Sequence, residues 1–404
     1  MDKYRQLLRI PGAARFVTAG FIGRLPIAMI SLGIVLLVTG QGGDYVTAGM
    51  LTATFALAQA FVSPLGLRWV DRVGQSATIP WLIVAEAIGL ALFTVSVILG
   101  WSLVVQFVLA GISGACSPHI GSLVRARWAA LLSGSPQLSS AFALEAVVDE
   151  LVFIVGPLLV VSIALWFGEP VAMTATVVLL LIGSLWLVGQ RGTQPAPHRV
   201  SAQAKPERMW SLALTIMLGI MVLLGGVFGA FEVTTVAFTR ELGQEGATGV
   251  VLALYAGGSL IAGLVLGARP PLITLRSQTL LAATLLAAVG LPLIWVADVW
   301  WLALLSFLAG STVAPVLITT TGMVERAVPV SRITEALGLT ISGLAVGFAL
   351  GSTISGALVD QVSANAGFLL MVSCGVGLFI LTTIGYRALR TTDQPRRTTL
   401  TTSD

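Results

Sequence analysis

Twelve apolar runs, each close to twenty residues or longer and bounded by charges, Pro/Gly clusters or aromatic residues, divide the sequence almost from end to end. They fall at about 16–39, 46–66, 77–99, 101–124, 139–167, 171–189, 210–239, 247–266, 279–296, 300–321, 333–359 and 366–386. A bilayer core about 30 Å thick takes about 20 residues of helix to cross. With no water there to satisfy backbone N–H and C=O groups, only helices and closed barrels survive. Barrel strands would show segments of about ten residues with alternating polarity, so these continuous runs read as helices, an all-α integral membrane chain. Lys3, Arg5, Arg9 and Arg15 precede the first run like the start of a signal peptide. That run, at about 24 residues, exceeds an h-region and is read as an uncleaved first span.

Composition excludes the alternatives. Charged residues make up 10% of the chain, against about 25% in soluble proteins, too few to cover a soluble body. The two cysteines, Cys116 and Cys374, both lie inside apolar runs, which leaves no disulfide framework or cysteine-rich metal site. The net charge of +4 could suggest nucleic acid, but the basic residues sit between the runs rather than in a stripe, so nucleic acid is not expected as a partner. No Gly-rich phosphate loop or nucleophile elbow occurs in a polar segment. Neither a cofactor nor a metal is expected, nor enzyme activity, and any energy the chain uses would come from a gradient or a partner.

The basic residues also set the orientation, because loops rich in Lys and Arg stay in the cytoplasm. With the N-terminus inside, 20 of the 22 Lys and Arg residues fall in cytoplasmic segments; Arg240 lies outside and Arg24 within a span. A multi-pass protein of the cell (inner or plasma) membrane with both termini cytoplasmic is expected, working as a monomer in the lipid bilayer. The longest polar stretch, 190–209, carries Pro195, Pro197, Pro206 and four basic residues. It reads as a cytoplasmic linker between an N-terminal six-helix half, 1–189, and a C-terminal six-helix half with a cytoplasmic tail, 210–404. Weak repeats support the division: Phe107-Val-Leu-Ala-Gly111 echoes Phe307-Leu-Ala-Gly310, and Pro136 with Ala143-Leu144 echoes Pro329 with Ala336-Leu337. Trp81, Trp101, Trp166, Trp210, Trp295, Trp300 and Trp301 sit mainly at span ends and read as interfacial anchors.

The loop after the second span reads Gly66-Leu-Arg-Trp-Val-Asp71-Arg72-Val73-Gly74-Gln75. Its Asp-Arg-x-Gly core, in a chain of six spans, a basic linker and six spans, resembles the major facilitator superfamily, whose pseudo-symmetric halves enclose a midplane binding site. The resemblance implies a transporter moving a small-molecule substrate by alternating access. It also implies a conformational latch at Asp71, Arg72 and Gly74 that joins the halves when the site faces outward. Leu67 stands where the family usually has glycine, and Gln75 and Ser76 replace its usual basic pair. A second signature, typical of the superfamily's exporters, is reduced to Gly156-Pro157 in span five, expected as a helix kink. The family's arginine inside span four is missing, the nearest being Arg125 at that helix's end.

Ionisable groups at membrane depth are costly and mark function. Arg24, Glu86, His119, Glu145, Asp149, Glu150 and Glu232 lie within the spans. Glu335, near the inner end of span eleven, is read as wet. In span five Glu145 and Asp149 are four apart and share one face, while Glu150 turns about 100° away. Three carboxylates so close cannot all stay ionised cheaply, so at least one is expected to hold a proton near neutral pH. That makes Asp149, Glu150 and Glu145 the proton-coupling candidates. The competing reading puts Glu145 at the cytoplasmic interface and Glu150 in a hydrogen bond to a neighbouring helix. Arg24 lies about 12 Å in from one edge and Glu232 about 10–11 Å in from the other. In a core of about 30 Å their depths would differ by under 10 Å, and the resemblance makes spans one and seven equivalent, both lining the cavity. An Arg24–Glu232 ion pair is therefore expected, with Asp149 or Glu150 as competitors for Arg24. Glu86 is expected as a satisfied structural acid and His119 as a hydrogen-bonded structural histidine, with a proton relay as the alternative for both.

The leading expectation is a proton-coupled exporter, an antiporter of small amphiphilic or cationic compounds. The alternative is a proton-coupled importer or facilitator of a small polar solute, and Gln59, Gln106 and Thr52 would serve either. An intramembrane enzyme using His119 with a carboxylate is a remote third reading.

Overall fold

A computed structural model describes residues 2–195, 209–268, 273–329 and 332–392, with the backbone but not the side chains of Asp2, Lys3, Tyr4, Leu67, Arg68, Asp71, Thr334 and Thr391. Residues 196–208 of the expected linker thus lie outside the described residues, as does the end of the tail. Twelve helices are long and apolar enough to cross a membrane: Ala13–Gly40, Tyr45–Gly66, Gln75–Ile98, Leu103–Leu131, Gln137–Phe167, Glu169–Gly189, Leu212–Glu241, Ala247–Ala268, Leu275–Trp295, Val299–Ala327, Glu335–Gln361 and Ala364–Gly385. They are the expected spans one to twelve, and no strand occurs among the described residues. Polar residues outside the runs set several starts. Asp44, Ser211, Asp298 and Ser363 each accept the backbone N–H three residues on, satisfying a donor that a helix start leaves free.

Span four, expected as one continuous helix, is broken. It consists of Leu103–Cys116 and Ile120–Leu131, separated by Ser117-Pro118-His119. Proline supplies no N–H and crowds the preceding turn, and the freed carbonyl of Ser117 is satisfied from the side by the Ser63 hydroxyl at 2.6 Å. Non-helical backbone at this depth persists only where protein or a cavity satisfies it.

The helices form two apolar cores. One is drawn from residues 7–188, joined by Val233 and Val236, and the other from residues 209–389. The two halves meet most closely at the end of the bundle remote from Asp2 and Thr392. There span two packs on span eleven backbone to backbone: a Cβ on Gly49 would lie 2.5 Å from the Ser352 carbonyl oxygen, and one on Gly356 would run into the carbonyl of Tyr45. Asp360 of span eleven accepts the N–H groups of Tyr45 at 3.1 Å and Val46 at 2.8 Å. The start of span two is thereby capped by a carboxylate of the other half.

At the opposite end each half ties its own chain down. Arg127, fully buried at the end of span four, donates to the Gln75 amide oxygen, the Gln190 carbonyl and the Thr193 hydroxyl just beyond span six. Arg326, at the end of span ten, donates to the carbonyl of Thr392 just beyond span twelve.

Candidate transport cavity

On the terminal side of the bundle a cavity of about 570 Å³ lies between spans one to six and the N-terminal part of span eleven, which contributes Leu337, Gly338 and Ile341. Its charged wall is built by spans one, four and five. Arg24 donates through Nη1 to Asp149 Oδ1 at 2.7 Å and through Nη2 to Glu145 Oε2. Arg125 donates to the other oxygen of Asp149, and Trp128 Nε1 donates to Glu145 Oε1 at 2.8 Å. Two guanidinium groups therefore face two carboxylates, which lets buried charges persist. The two acids differ in access: Glu145 is fully buried, whereas the Asp149 side chain is 31% exposed and lines the cavity. The i, i+4 spacing that put both on one face of span five is what lets one arginine bridge them.

The expected Arg24–Glu232 pair is not formed. Glu232 accepts instead from the Ser31 hydroxyl at 3.2 Å, and Ser31 stands seven residues, about 10.5 Å, beyond Arg24 along span one. The guanidinium is held by span five. Glu150 points away from its neighbours, as the 100° rotation requires, and accepts from Ser259 of span eight at 3.3 Å. Two half-buried carboxylates, Glu150 and Glu232, thus bridge the two halves through serine hydroxyls. Glu145 is not at an interface but in the core.

Glu86 departs most from expectation. Expected as a satisfied structural acid, it is 1% exposed and lines the cavity, and its oxygens, outside regular hydrogen-bond geometry, have the Ser117 hydroxyl as their single near donor among the described residues. His119, beside it in the wall, forms the N-cap position of Ile120–Leu131 without a side-chain capping bond. Gly156 and Pro157 lie in a helix that runs without interruption from Gln137 to Phe167. Gly156 packs closely there, since a Cβ on it would come within 2.8 Å of Ala28 Cβ in span one. Gly74, of the latch motif, has φ 106° and turns the chain from the helix Ser63–Val73 into span three, a conformation that favours glycine. Arg72 is exposed on that helix, while the Asp71 side chain lies outside the described residues. The seven tryptophans are 43–85% exposed, as anchors facing lipid would be. Sequence reasoning missed Ser31, Ser259 and the bridging role of Arg125, although Pro118 in mid-run signalled the broken helix.

Twelve spans in two halves, with a charged cavity walled mostly by the first six, have the architecture of a membrane carrier of small molecules. The profile of the Major Facilitator Superfamily matches residues 16–269 and 216–402, and the chain belongs to that family of transporters. An uncharacterized MFS-type transporter of Sinorhizobium fredii, y4rN, is 29% identical over 178 residues, a stretch spanning 42% of each chain. Among solved structures, the fold is similar to that of a mutant of the nucleoside transporter NupG, with a TM-score of 0.68, 14% identity and 91% and 99% of the two chains covered. It is likewise similar to the POT family transporter PepTSo, at 0.67, 12%, 93% and 98%. The human organic anion transporter MFSD10 follows at 0.60, 19%, 91% and 99%.

Proposed function

We propose that this carrier takes up a small polar solute together with protons, by alternating access, with both termini in the cytoplasm. The observation that carries the reading is the cavity wall itself, where Arg24, Arg125, Asp149, Gln59, Glu86, Ser117 and His119 face a space of about 570 Å³. Such convergent polar groups suit hydrogen-bonded recognition of a polar solute better than loose accommodation of amphiphiles. The same fold serves peptide and nucleoside transporters, and the uptake reading follows that side of the choice rather than drug efflux. With the termini cytoplasmic, as the basic loops imply, the closed end is outer and the cavity faces inward.

Proton coupling is assigned to the carboxylates that lie between the halves. Asp149 is the accessible acid of the network, and Glu150 and Glu232 are held across the interface by one hydroxyl each. Separation of the halves would expose Glu150 and Glu232 to water and change their proton occupancy, which links the proton to the conformational cycle. The latch at Asp71, Arg72 and Gly74 belongs to the opposite, outward-facing state. Reconstituted protein in sided proteoliposomes, given an inward-acid or inward-alkaline gradient with and without sodium, tests the reading. Solute uptake driven by an acidic exterior supports it. Pumping in the reverse direction, or strict sodium dependence, overturns it.

A further inference from the structure

Of the acids at membrane depth, four have donors: Glu145 from Arg24 and Trp128, Asp149 from Arg24 and Arg125, Glu150 from Ser259, and Glu232 from Ser31. Glu86 stands apart, with both oxygens buried, outside any regular hydrogen-bond geometry and with the Ser117 hydroxyl as their single near donor among the described residues. A carboxylate taken out of water without compensation is among the costliest placements a chain can make. Its surroundings are nonetheless ordered around it. Gln59 Nε2 donates to the Ser117 hydroxyl at 2.9 Å, which fixes the amide and leaves its carbonyl oxygen as an acceptor. The helix Leu103–Cys116 ends at the same place, and Cys116 lies within electrostatic reach of Glu86. A helix C-terminus carries unpaired carbonyls and the negative end of the macrodipole. Both cations that line the cavity, Arg24 and Arg125, are already committed to Glu145 and Asp149.

We propose that Glu86, Gln59 and the break at Ser117-Pro118-His119 form a subsite in the cavity wall that takes the ammonium group of the transported solute. The inference rests on the carrier reading above and narrows its substrate class to small polar molecules bearing an amine. Carboxylate oxygens, an amide oxygen and helix-end carbonyls offer acceptors to the three N–H donors of a primary ammonium, and the same set repels an anion. A multivalent metal is a poorer fit, because no group of three or more His, Cys, Asp or Glu is gathered among the described residues.

The purified full chain, probed with three isosteres, tests this: ethanolammonium, neutral ethylene glycol and anionic glycolate, with sodium and potassium chloride exchanged at constant ionic strength. Ethanolammonium raises the Tm of the wild type, and the other two do not. Glu86→Gln weakens the apparent affinity for ethanolammonium on the order of 10- to 100-fold, the loss of a charge-assisted contact, whereas Glu86→Asp retains most of it. Gln59→Ala weakens it too, which keeps the test open if Glu86→Gln fails to fold. A wild type unresponsive to ethanolammonium, equally responsive to the glycol or to sodium, or undiminished in Glu86→Gln overturns the subsite. Spin labels at Gln41→Cys and Val362→Cys, one on each half at the closed end, separate the two readings. If that end never opens, the carrier reading fails. If it opens but ammonium has no specific effect, the subsite alone fails.

Discussion

Adding one methyl group at Gly49 should reset the conformational equilibrium of the whole carrier. The Cβ of Gly49→Ala would stand 2.5 Å from the carbonyl oxygen of Ser352, 2.8 Å from its carbonyl carbon and 3.1 Å from the Cα of Thr353. All three are backbone atoms of a helix, so no rotamer change relieves the contact. An ordinary carbon–oxygen approach is about 3.3–3.6 Å, which requires spans two and eleven to separate by on the order of 1 Å. Overpacking of this kind costs about 1–3 kcal/mol. The clashing atoms belong to opposite halves, so the cost falls on the state closed at this end and vanishes when the halves part there. The ratio of molecules open at this end to molecules closed there should therefore rise by a factor of roughly 5–150. Electron–electron distance measurements between labels at Gln41→Cys and Val362→Cys, in a background with Cys116 and Cys374 replaced by serine, would show it as growth of a longer-distance population in lipid nanodiscs. Gly257→Ala is the control, because nothing lies within 4 Å of its Cβ. A distance distribution unchanged from wild type in folded Gly49→Ala protein would refute the account of the closed end.

Removing the cross-half cap should act in the same direction: Asp360→Asn weakens the hold on the Tyr45 and Val46 N–H groups by about 0.5–1 kcal/mol, read as a several-fold shift in the same distance measurement. In a double-mutant cycle scored by thermal stability, Arg24→Ala with Asp149→Ala should show coupling of about 0.5–3 kcal/mol, while Arg24→Ala with Glu232→Ala should be additive within about 0.5 kcal/mol. Coupling in the second pair but not the first would reverse the assignment of partners. Arg24→Ala alone leaves Glu145 buried with one N–H donor, a loss of about 3–5 kcal/mol; unaltered thermal stability would mean that Glu145 does not carry charge there. The double change Glu150→Gln and Glu232→Gln should abolish pH-driven accumulation yet leave solute exchange between equal pH compartments, measured by counterflow in proteoliposomes. Retained accumulation would free both acids from the coupling role.

The spans were legible because lipid leaves the chain few options. An unbroken apolar run of helix length satisfies its own backbone, and a polar residue at its margin supplies the cap. What the sequence could not show was depth. Counting Arg24 from one edge and Glu232 from the other assumed that both helices end where a core of about 30 Å ends, yet Ala13–Gly40 has 28 residues and extends about 42 Å. Measured from their C-terminal ends, Gly40 and Glu241, it is Ser31 and Glu232 that sit level, nine residues in on each helix. The i, i+4 relation of Glu145 and Asp149 survived because it is local geometry. The interhelical hydroxyls of Ser31 and Ser259 did not stand out, because a serine in an apolar run gives no sign of which helix it will face.

The ties made by Arg127 to Gln190 and Thr193, and by Arg326 to Thr392, stand at one and the same spacing in the two halves, with 199 positions separating Arg127 from Arg326 and Thr193 from Thr392. In each set of six an arginine near the end of the fourth span fastens the chain just past the sixth, as a repeated six-helix unit would. Each tie closes on chain that directly follows the sixth span of its own set, Gln190 and Thr193 in one case and Thr392 in the other. A lineage that broke the gene between the two sets, or that began translation there and placed the present N-terminal half second, would inherit two units already finished at that end, free to diverge as separate genes.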